Sequence, residues 1–210
     1  MALFHLVDEM GLTVDEVDKL TGPVLGRPKS ATFRTCDVVG LDTLVHVANG
    51  LEENCKDDEA HPLFTMPNYI AKMVEHGWLG SKTGQGFYKK VKDDKGKSNI
   101  LSLNLKTLEY EPKQKVKFPT LELTKSIDDL KKRTKVLLGG KDKAGDFYRK
   151  AFYGLFEYVS NRVPEISDDI YRIDDALKAG FAWELGPFEA WDALGVKETL
   201  VAMEEAGKKP

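Results

Sequence analysis

Apolar residues recur every three or four positions along most of the chain, which is the spacing of helices that bury one face. In the first part of the chain this pattern predicts helices over residues 2–10, 14–21, 33–39, 43–51 and 67–76. Thr13 and Glu16 have the spacing of a capping box at the start of the second helix. Asp42 is predicted to cap the fourth helix, and Gly77 to end the fifth.

The pattern changes in the middle of the chain. Leu101, Leu103 and Leu105 alternate with polar residues, which predicts short strands. The charged stretch 89–97 is interpreted as a solvated turn between two strands, and the stretch 113–124 as an extended connector. Helices return over residues 127–137, 146–162 and 170–177, and Ser167 and Asp168 are predicted to cap the last of them. The predicted fold class is therefore mainly α, with a small β-hairpin or meander insert.

Two parts of the chain repeat one pattern. Residues 155–159, Leu-Phe-Glu-Tyr-Val, match residues 3–7, Leu-Phe-His-Leu-Val. Further matches follow in the same order: Ile173-Asp174 on Val17-Asp18, and Phe188, Asp192 and Gly195 on Phe33, Asp37 and Gly40. Matches in one order, separated by loop-sized insertions, indicate a duplicated helical unit. The alternative is that amphipathic helices resemble one another by chance.

The repeat predicts the domain organisation. We expect a first repeat over residues 1–90, a strand-containing insert and connector over 91–125, and a truncated second repeat over 126–210. The two repeats are expected to pack as an intramolecular pseudo-dimer. Because the helix before Leu155 begins well upstream of that residue, the matching helix at Leu3 should begin before Met1, and the chain is predicted to be a fragment of a longer polypeptide.

Composition narrows the class of partner. The chain has 31 Lys and Arg against 34 Asp and Glu, a net charge of −3. Neither sign is in large excess, which argues against nucleic acid or an anionic membrane as a main partner. No apolar run is long enough for a transmembrane span or a signal peptide, so a cytoplasmic location is predicted. Two cysteines, Cys36 and Cys55, are too few for a disulfide framework and are interpreted as reduced thiols.

No complete active site is visible in the residues themselves. Residues 80–86, Gly-Ser-Lys-Thr-Gly-Gln-Gly, resemble a phosphate-binding loop, but the order is wrong for a Walker A motif and the segment leads into Phe87-Tyr88 rather than into a helix. The chain has no Gly-x-Gly-x-x-Gly between a strand and a helix, so no dinucleotide site is predicted. The four histidines, His5, His46, His61 and His76, are scattered along the chain. We therefore predict that they form no metal site and that none of them is catalytic.

Two long stretches carry a family pattern. The first is residues 22–42, Gly-Pro-Val-Leu-Gly-Arg-Pro-Lys-Ser-Ala-Thr-Phe-Arg-Thr-Cys-Asp-Val-Val-Gly-Leu-Asp. The second is residues 77–88, Gly-Trp-Leu-Gly-Ser-Lys-Thr-Gly-Gln-Gly-Phe-Tyr. Both stretches resemble the C-terminal domain of the L-3-hydroxyacyl-CoA dehydrogenases. Residues 186–195, Gly-Pro-Phe-Glu-Ala-Trp-Asp-Ala-Leu-Gly, are similar to the form of the first motif in single-repeat members. Tandem copies resemble the longer fatty-acid oxidation enzymes, in which the dehydrogenase is often fused to an enoyl-CoA hydratase.

The resemblance implies an NAD-dependent oxidation of the 3-hydroxyl of an acyl-CoA in β-oxidation. In the family, the NAD site and the catalytic His and Glu lie in a preceding Rossmann domain, and an asparagine near the reacting atoms lies at the start of the helical domain. None of these can be assigned to a residue of this chain. The chain alone is therefore expected to lack NAD binding and hydride transfer.

The resemblance also implies a role for the helical domain, which is to wall the acyl-CoA cleft and to associate. The substrate-facing segment is then expected to be the first-repeat loop, Arg27, Pro28, Lys29, Ser30, Ala31 and Thr32. Arg27 or Lys29 would meet a CoA phosphate or be a solvated loop charge, and the sequence leaves both open. A monomer is expected, because the built-in second repeat replaces a homodimer partner. The competing hypothesis is a purely structural association module without substrate contact.

Overall fold

Helices make up most of the structure, a computed structural model that describes residues 1–210. Before the sheet, the helices are α1 (Ala2–Met10), α2 (Val14–Thr21), α3 (Phe33–Val39), α4 (Leu41–Asn54) and α5 (Asn68–Glu75). After it come α6 (Pro119–Leu123), α7 (Leu130–Leu138), α8 (Lys143–Asn161), α9 (Ile170–Phe181), α10 (Pro187–Leu194) and α11 (Val196–Glu205). The predicted fold class, mainly α with a small β insert, is confirmed.

The sheet has three antiparallel strands in chain order. They are β1 (Tyr88–Lys92), β2 (Ser98–Leu103) and β3 (Tyr110–Pro112). Tyr88 pairs with Ser102, and Leu103 pairs with Tyr110. The prediction that residues 89–97 form a turn was wrong for Lys89–Lys92, which belong to β1, because the outward positions of an exposed strand accept lysine as readily as a turn does.

One of the predicted helix caps is confirmed and two are wrong, and one stretch predicted to be extended contains a helix. The predicted capping box is confirmed, since the Thr13 amide donates to Glu16 (2.8 Å) and the Glu16 amide donates to the Thr13 hydroxyl (3.2 Å). Asp42 does not cap α4: Gly40 precedes the helix, and Asp42 lies in its first turn. Ser167 and Asp168 do not cap α9, whose N-terminal flanking residue is Asp169. The stretch 113–124, predicted to be extended, contains α6, because a proline is well suited to a first helical turn.

The chain divides into two compact units. Unit 1 comprises Met1–Lys19 and Ser30–Val116, and unit 2 comprises Leu20–Lys29 and Lys117–Pro210. The segment Leu20–Lys29 thus belongs to the same unit as α6–α11 although it lies early in the sequence. The predicted domain limits and the pseudo-dimer stay predictions.

Each unit contains an aspartate that caps the following repeat helix. In unit 1, Asp18 accepts hydrogen bonds from the amides of Phe33 (2.6 Å) and Arg34 (3.0 Å). In unit 2, Asp174 accepts from the amides of Phe188 (2.8 Å) and Glu189 (3.0 Å). The capped helices α3 and α10 both end at a glycine with positive φ, 100° at Gly40 and 95° at Gly195. The same bonds at matched positions support the predicted repeat.

The aromatic cores of the two units take their third ring from different parts of the chain. In unit 1, Phe33 lies 5.7 Å from Phe4 and 4.4 Å from Phe87, measured between ring centroids. Phe156 and Phe188 of unit 2 match Phe4 and Phe33, and the third ring there is Trp191, stacked 4.8 Å from Phe156. Trp191 lies one turn after Phe188 on α10, whereas Phe87 reaches its core from the loop after α5.

Candidate functional site

The predicted substrate-facing segment contains one stacked cation and one free cation. The Arg27 guanidinium lies over the ring of Trp183, 3.8 Å from the ring centroid, and both residues belong to unit 2. Lys29 and the neighbouring Pro28 are exposed, and the Lys29 side chain forms no ion pair or hydrogen bond. Arg27 is therefore not a solvated loop charge, while Lys29 is free to meet an anion.

Residues 30–32 are held by unit 1. The Thr35 hydroxyl donates to the carbonyl of Ala31 (2.7 Å) and lies 2.8 Å from the Ser30 hydroxyl. The Thr32 amide donates to Asp18 (3.1 Å), next to the two helix amides that Asp18 caps. Ala31 has a φ of 49°, a left-handed conformation that is costly for alanine and persists only when its surroundings fix it. The backbone of this segment is therefore set before any ligand arrives.

The two family-like stretches, residues 22–42 and 77–88, meet at Asp37, on α3. Its carboxylate accepts hydrogen bonds from the amides of Phe87 (2.8 Å) and Tyr88 (2.9 Å), where the second stretch enters β1. A side chain on Gly86 would lie 2.1 Å from Oδ1 of Asp37, and one on Gly80 would lie 2.3 Å from its carbonyl oxygen. Both glycines are thus required for the glycine loop, residues 80–86, to lie against α3.

Tyr88 connects this contact to the capping aspartate. Its hydroxyl donates to Asp18 at 2.8 Å. Burial raises the pKa of Asp18, although the hydrogen bonds from Phe33, Tyr88 and the neighbouring amides act in the opposite direction. Burial and the nearby carboxylates likewise raise the pKa of the Tyr88 hydroxyl, so it remains a donor. Sequence reasoning did not find the capping role of Asp18 or Asp174, although both residues lie in the aligned repeat.

Lys82, the cation of the glycine loop, is paired within the protein. Its ammonium lies 2.5 Å and 2.6 Å from the two carboxylate oxygens of Asp42. The hydrogen bond from Lys82 lowers the pKa of Asp42. A lysine that already has a carboxylate partner is a poor phosphate ligand.

The remaining candidate groups serve structural roles or stand apart. The Nε2 atoms of His5 and His61 lie 3.0 Å from the carbonyl oxygens of Thr65 and Glu52, respectively. No group of three His, Cys, Asp or Glu side chains is arranged to hold a metal ion. An open cleft of about 500 Å³ in unit 1 is lined by charged and polar side chains that belong to neither family-like stretch: Asn49, Glu52, Glu53, Lys56 and His61. No helix combines the length and apolar character needed to cross a membrane.

Asp37 should make the stability of the chain depend on pH. Burial raises its pKa to about 6, against the opposing effects of the Phe87 and Tyr88 amides and of Arg34, while the carboxylate of Asp18 adds to the increase. The folded protein therefore binds a proton more readily than the unfolded chain, and this stabilising contribution is lost as the pH rises from about 4 to about 6.

We expect the wild type to gain on the order of 2 kcal/mol relative to Asp37→Asn between pH 7 and pH 4.5, because asparagine does not titrate. Urea unfolding of both proteins at several pH values measures this difference. A difference that is constant, or that grows with pH, would contradict the prediction.

Comparisons with known proteins assign the first part of the chain to a family. Residues 1–90 match the family described as 3-hydroxyacyl-CoA dehydrogenase, C-terminal domain. A "Probable 3-hydroxyacyl-CoA dehydrogenase" from Bacillus subtilis (strain 168) is 46% identical over 208 residues, which are 98% of this chain and 26% of the relative. A protein of the same name from Deinococcus radiodurans is 50% identical over 96 residues, 46% of this chain and 27% of the relative.

A more distant relative has a different name. It is the "Fatty acid oxidation complex subunit alpha" of Psychrobacter arcticus, 33% identical over 134 residues, which are 62% of this chain and 16% of the relative. No solved structure matches the chain significantly. The chain spans about a quarter of the length of the Bacillus and Deinococcus relatives. Residues 1–90, which contain both family-like stretches and the Asp37 contact that joins them, therefore belong to the 3-hydroxyacyl-CoA dehydrogenase C-terminal domain family.

Proposed function

We propose that the chain is the helical C-terminal part of an NAD-dependent 3-hydroxyacyl-CoA dehydrogenase, which oxidises 3-hydroxyacyl-CoA to 3-ketoacyl-CoA in fatty-acid β-oxidation. The observation that carries the proposal is the joining of the two family-like stretches at Asp37, since both stretches lie within the matched residues. The names of the relatives support the same reaction and the same metabolic context.

In this proposal the hydride transfer takes place outside the chain. NAD and the catalytic His and Glu belong to a Rossmann domain of the complete enzyme, and an enoyl-CoA hydratase domain is a candidate further partner. The chain contributes a wall of the acyl-CoA cleft and the association of domains. Its segment 27–32 is the proposed wall, which the fixed backbone at Ala31 and the free Lys29 ammonium support. The monomeric state and the cytoplasmic location stay predictions.

A turnover measurement distinguishes a chain that is part of a larger enzyme from a chain that is an enzyme by itself. We expect the purified chain to show no oxidation of NADH with acetoacetyl-CoA, and the complete enzyme that contains it to show the reaction, because the cofactor domain is required. NADH absorbance at matched protein concentrations measures both. Turnover by the chain alone, or none by the complete enzyme, would overturn the proposal.

Lys29→Ala in the complete enzyme should raise KM for acetoacetyl-CoA about threefold and leave kcat unchanged. The expected effect is modest because an exposed ammonium contributes only about 0.5–1 kcal/mol to an ion pair with a phosphate. With acetoacetyl-pantetheine, which lacks the nucleotide phosphates, KM should not change.

The matched control is Lys141→Ala, which removes an exposed, unpaired lysine of unit 2. If Lys29→Ala and Lys141→Ala give the same KM, the structural hypothesis without substrate contact is favoured.

A further inference from the structure

Arg27 differs from the other stacked or paired arginines of unit 2 because no carboxylate pairs with it. Arg162 pairs with Glu165 (3.0 Å), Arg172 pairs with Asp169 (3.2 Å), and Arg149 pairs with Asp146. Arg27 forms no ion pair, and its one close contact of this kind is the ring of Trp183. A cation–π contact covers one face of the guanidinium and leaves its N–H edges available.

The environment of Arg27 is unfavourable for a cation without a partner. Burial lowers the pKa of Arg27 to about 10, and the only opposing influence comes from the Tyr148 side chain. The guanidinium is still charged at neutral pH. A partly desolvated cation gains most from an anion that reaches it, because the cost of removing its water has already been met in the folded chain.

The backbone on both sides of the stack is fixed. The amide of Glu184 donates to the carbonyl of Gly26 at 2.9 Å, which ties the residue before Arg27 to the residue after Trp183. Gly26 has a φ of 63°, and a side chain there would lie 2.3 Å from Leu130. Ala182, immediately before Trp183, has a φ of 52° and ends α9. The guanidinium and the ring are therefore held together before any ligand binds, which reduces the entropy lost on binding.

We propose that Arg27 and Trp183 form a phosphate-binding subsite, and that its ligand is a phosphate group of the CoA moiety. The planar guanidinium, stacked on the indole, offers two parallel N–H donors to two oxygens of one phosphate. The identification of the ligand as CoA rests on the proposed function. The carboxylate of Glu184 lies beside Gly26 and is exposed, so it repels the ligand without neutralising Arg27.

Binding to the purified chain tests the subsite without turnover. The probes are CoA, adenosine 3′,5′-bisphosphate, inorganic pyrophosphate and, at equal ionic strength, acetate. The indole N–H signal of Trp183 and the Nε–H signal of Arg27 in ¹⁵N-labelled protein report the contact. We expect saturable shifts with the three phosphate probes at about millimolar concentrations or below, and none with acetate.

Variants assign the effect to the stack. Arg27→Gln should weaken CoA binding about tenfold, and Arg27→Lys by a smaller factor, since lysine keeps the charge but loses the paired donors. Trp183→Leu keeps the cation and removes its platform, and should weaken binding several-fold. Glu184→Gln should strengthen it. The matched control, Arg172→Gln, removes an exposed arginine of the same unit and should leave binding unchanged.

Thermal unfolding of each variant first establishes that it is folded. No saturable shift with any phosphate probe, or equal CoA binding by Arg27→Gln and wild type, would overturn the subsite. Shifts with pyrophosphate but not with CoA would overturn the identity of the ligand. None of these binding readouts requires NADH. A complete enzyme without dehydrogenase activity would therefore contradict the proposed function, while the binding of phosphate at Arg27 could still be measured.

Discussion

Asp37→Ala should lower the free energy of unfolding by about 3 kcal/mol, because two buried backbone amides lose their only acceptor. The side chain of Asp37 is 1% exposed, and the amides of Phe87 and Tyr88 donate to its two oxygens at 2.8 Å and 2.9 Å. Urea unfolding followed by circular dichroism measures the difference.

The second repeat supplies the matched control. Asp192 occupies the position of Asp37 in the repeat, but it is exposed and its side chain forms no hydrogen bond. Asp192→Ala should therefore change the free energy of unfolding by less than about 0.5 kcal/mol. Equal losses in the two variants would show that Asp37 does not stabilise the protein through the amides of Phe87 and Tyr88.

Gly86→Ala should also destabilise the chain by about 3 kcal/mol, through overlap rather than a lost bond. The added methyl would lie 2.1 Å from Oδ1 of Asp37 and 2.6 Å from Cα of Gly80, and the second of these is backbone that cannot rotate away. We expect the glycine loop to separate from α3, so the Trp78 fluorescence of the folded variant should change along with its midpoint in urea.

Gly154→Ala is the control, because it replaces a glycine by alanine without steric overlap. Gly154 lies inside α8, and a methyl group there would meet nothing within 4 Å. The substitution should stabilise the helix by up to about 1 kcal/mol, since alanine loses less backbone entropy than glycine. A Gly86→Ala protein as stable as wild type would mean that α3 and the glycine loop can move apart without cost.

Local signals in the sequence were sufficient for the elements. The apolar spacing and the Thr13 capping box predicted α1 and α2 to within a residue or two, because both depend on neighbours along the chain. The start of α9 was displaced because Ser167, Asp168 and Asp169 are all suitable capping residues, and tertiary packing selects among them. The strand content of Lys89–Lys92 depends on pairing with β2, which no local pattern records.

The resemblance proposes residues 27–32 as a segment but says nothing of its contacts. It left Arg27 and Lys29 equivalent. They differ because Trp183, distant in sequence, covers Arg27 and not Lys29. The anchoring role of Asp37 was missed for the same reason, since its partners at Phe87 lie 50 positions away.

The different closure of the two aromatic cores has a consequence for the order of folding. Phe188 and Trp191 lie on one helix, so the aromatic cluster of unit 2 needs only the approach of α8 to be complete. The core of unit 1 needs Phe87, which arrives only after the chain has passed through α4 and α5 and closed a long loop. Loop closure costs entropy before its contacts are gained, and long-range contacts slow folding. The aromatic contacts of unit 2 should therefore form before those of unit 1.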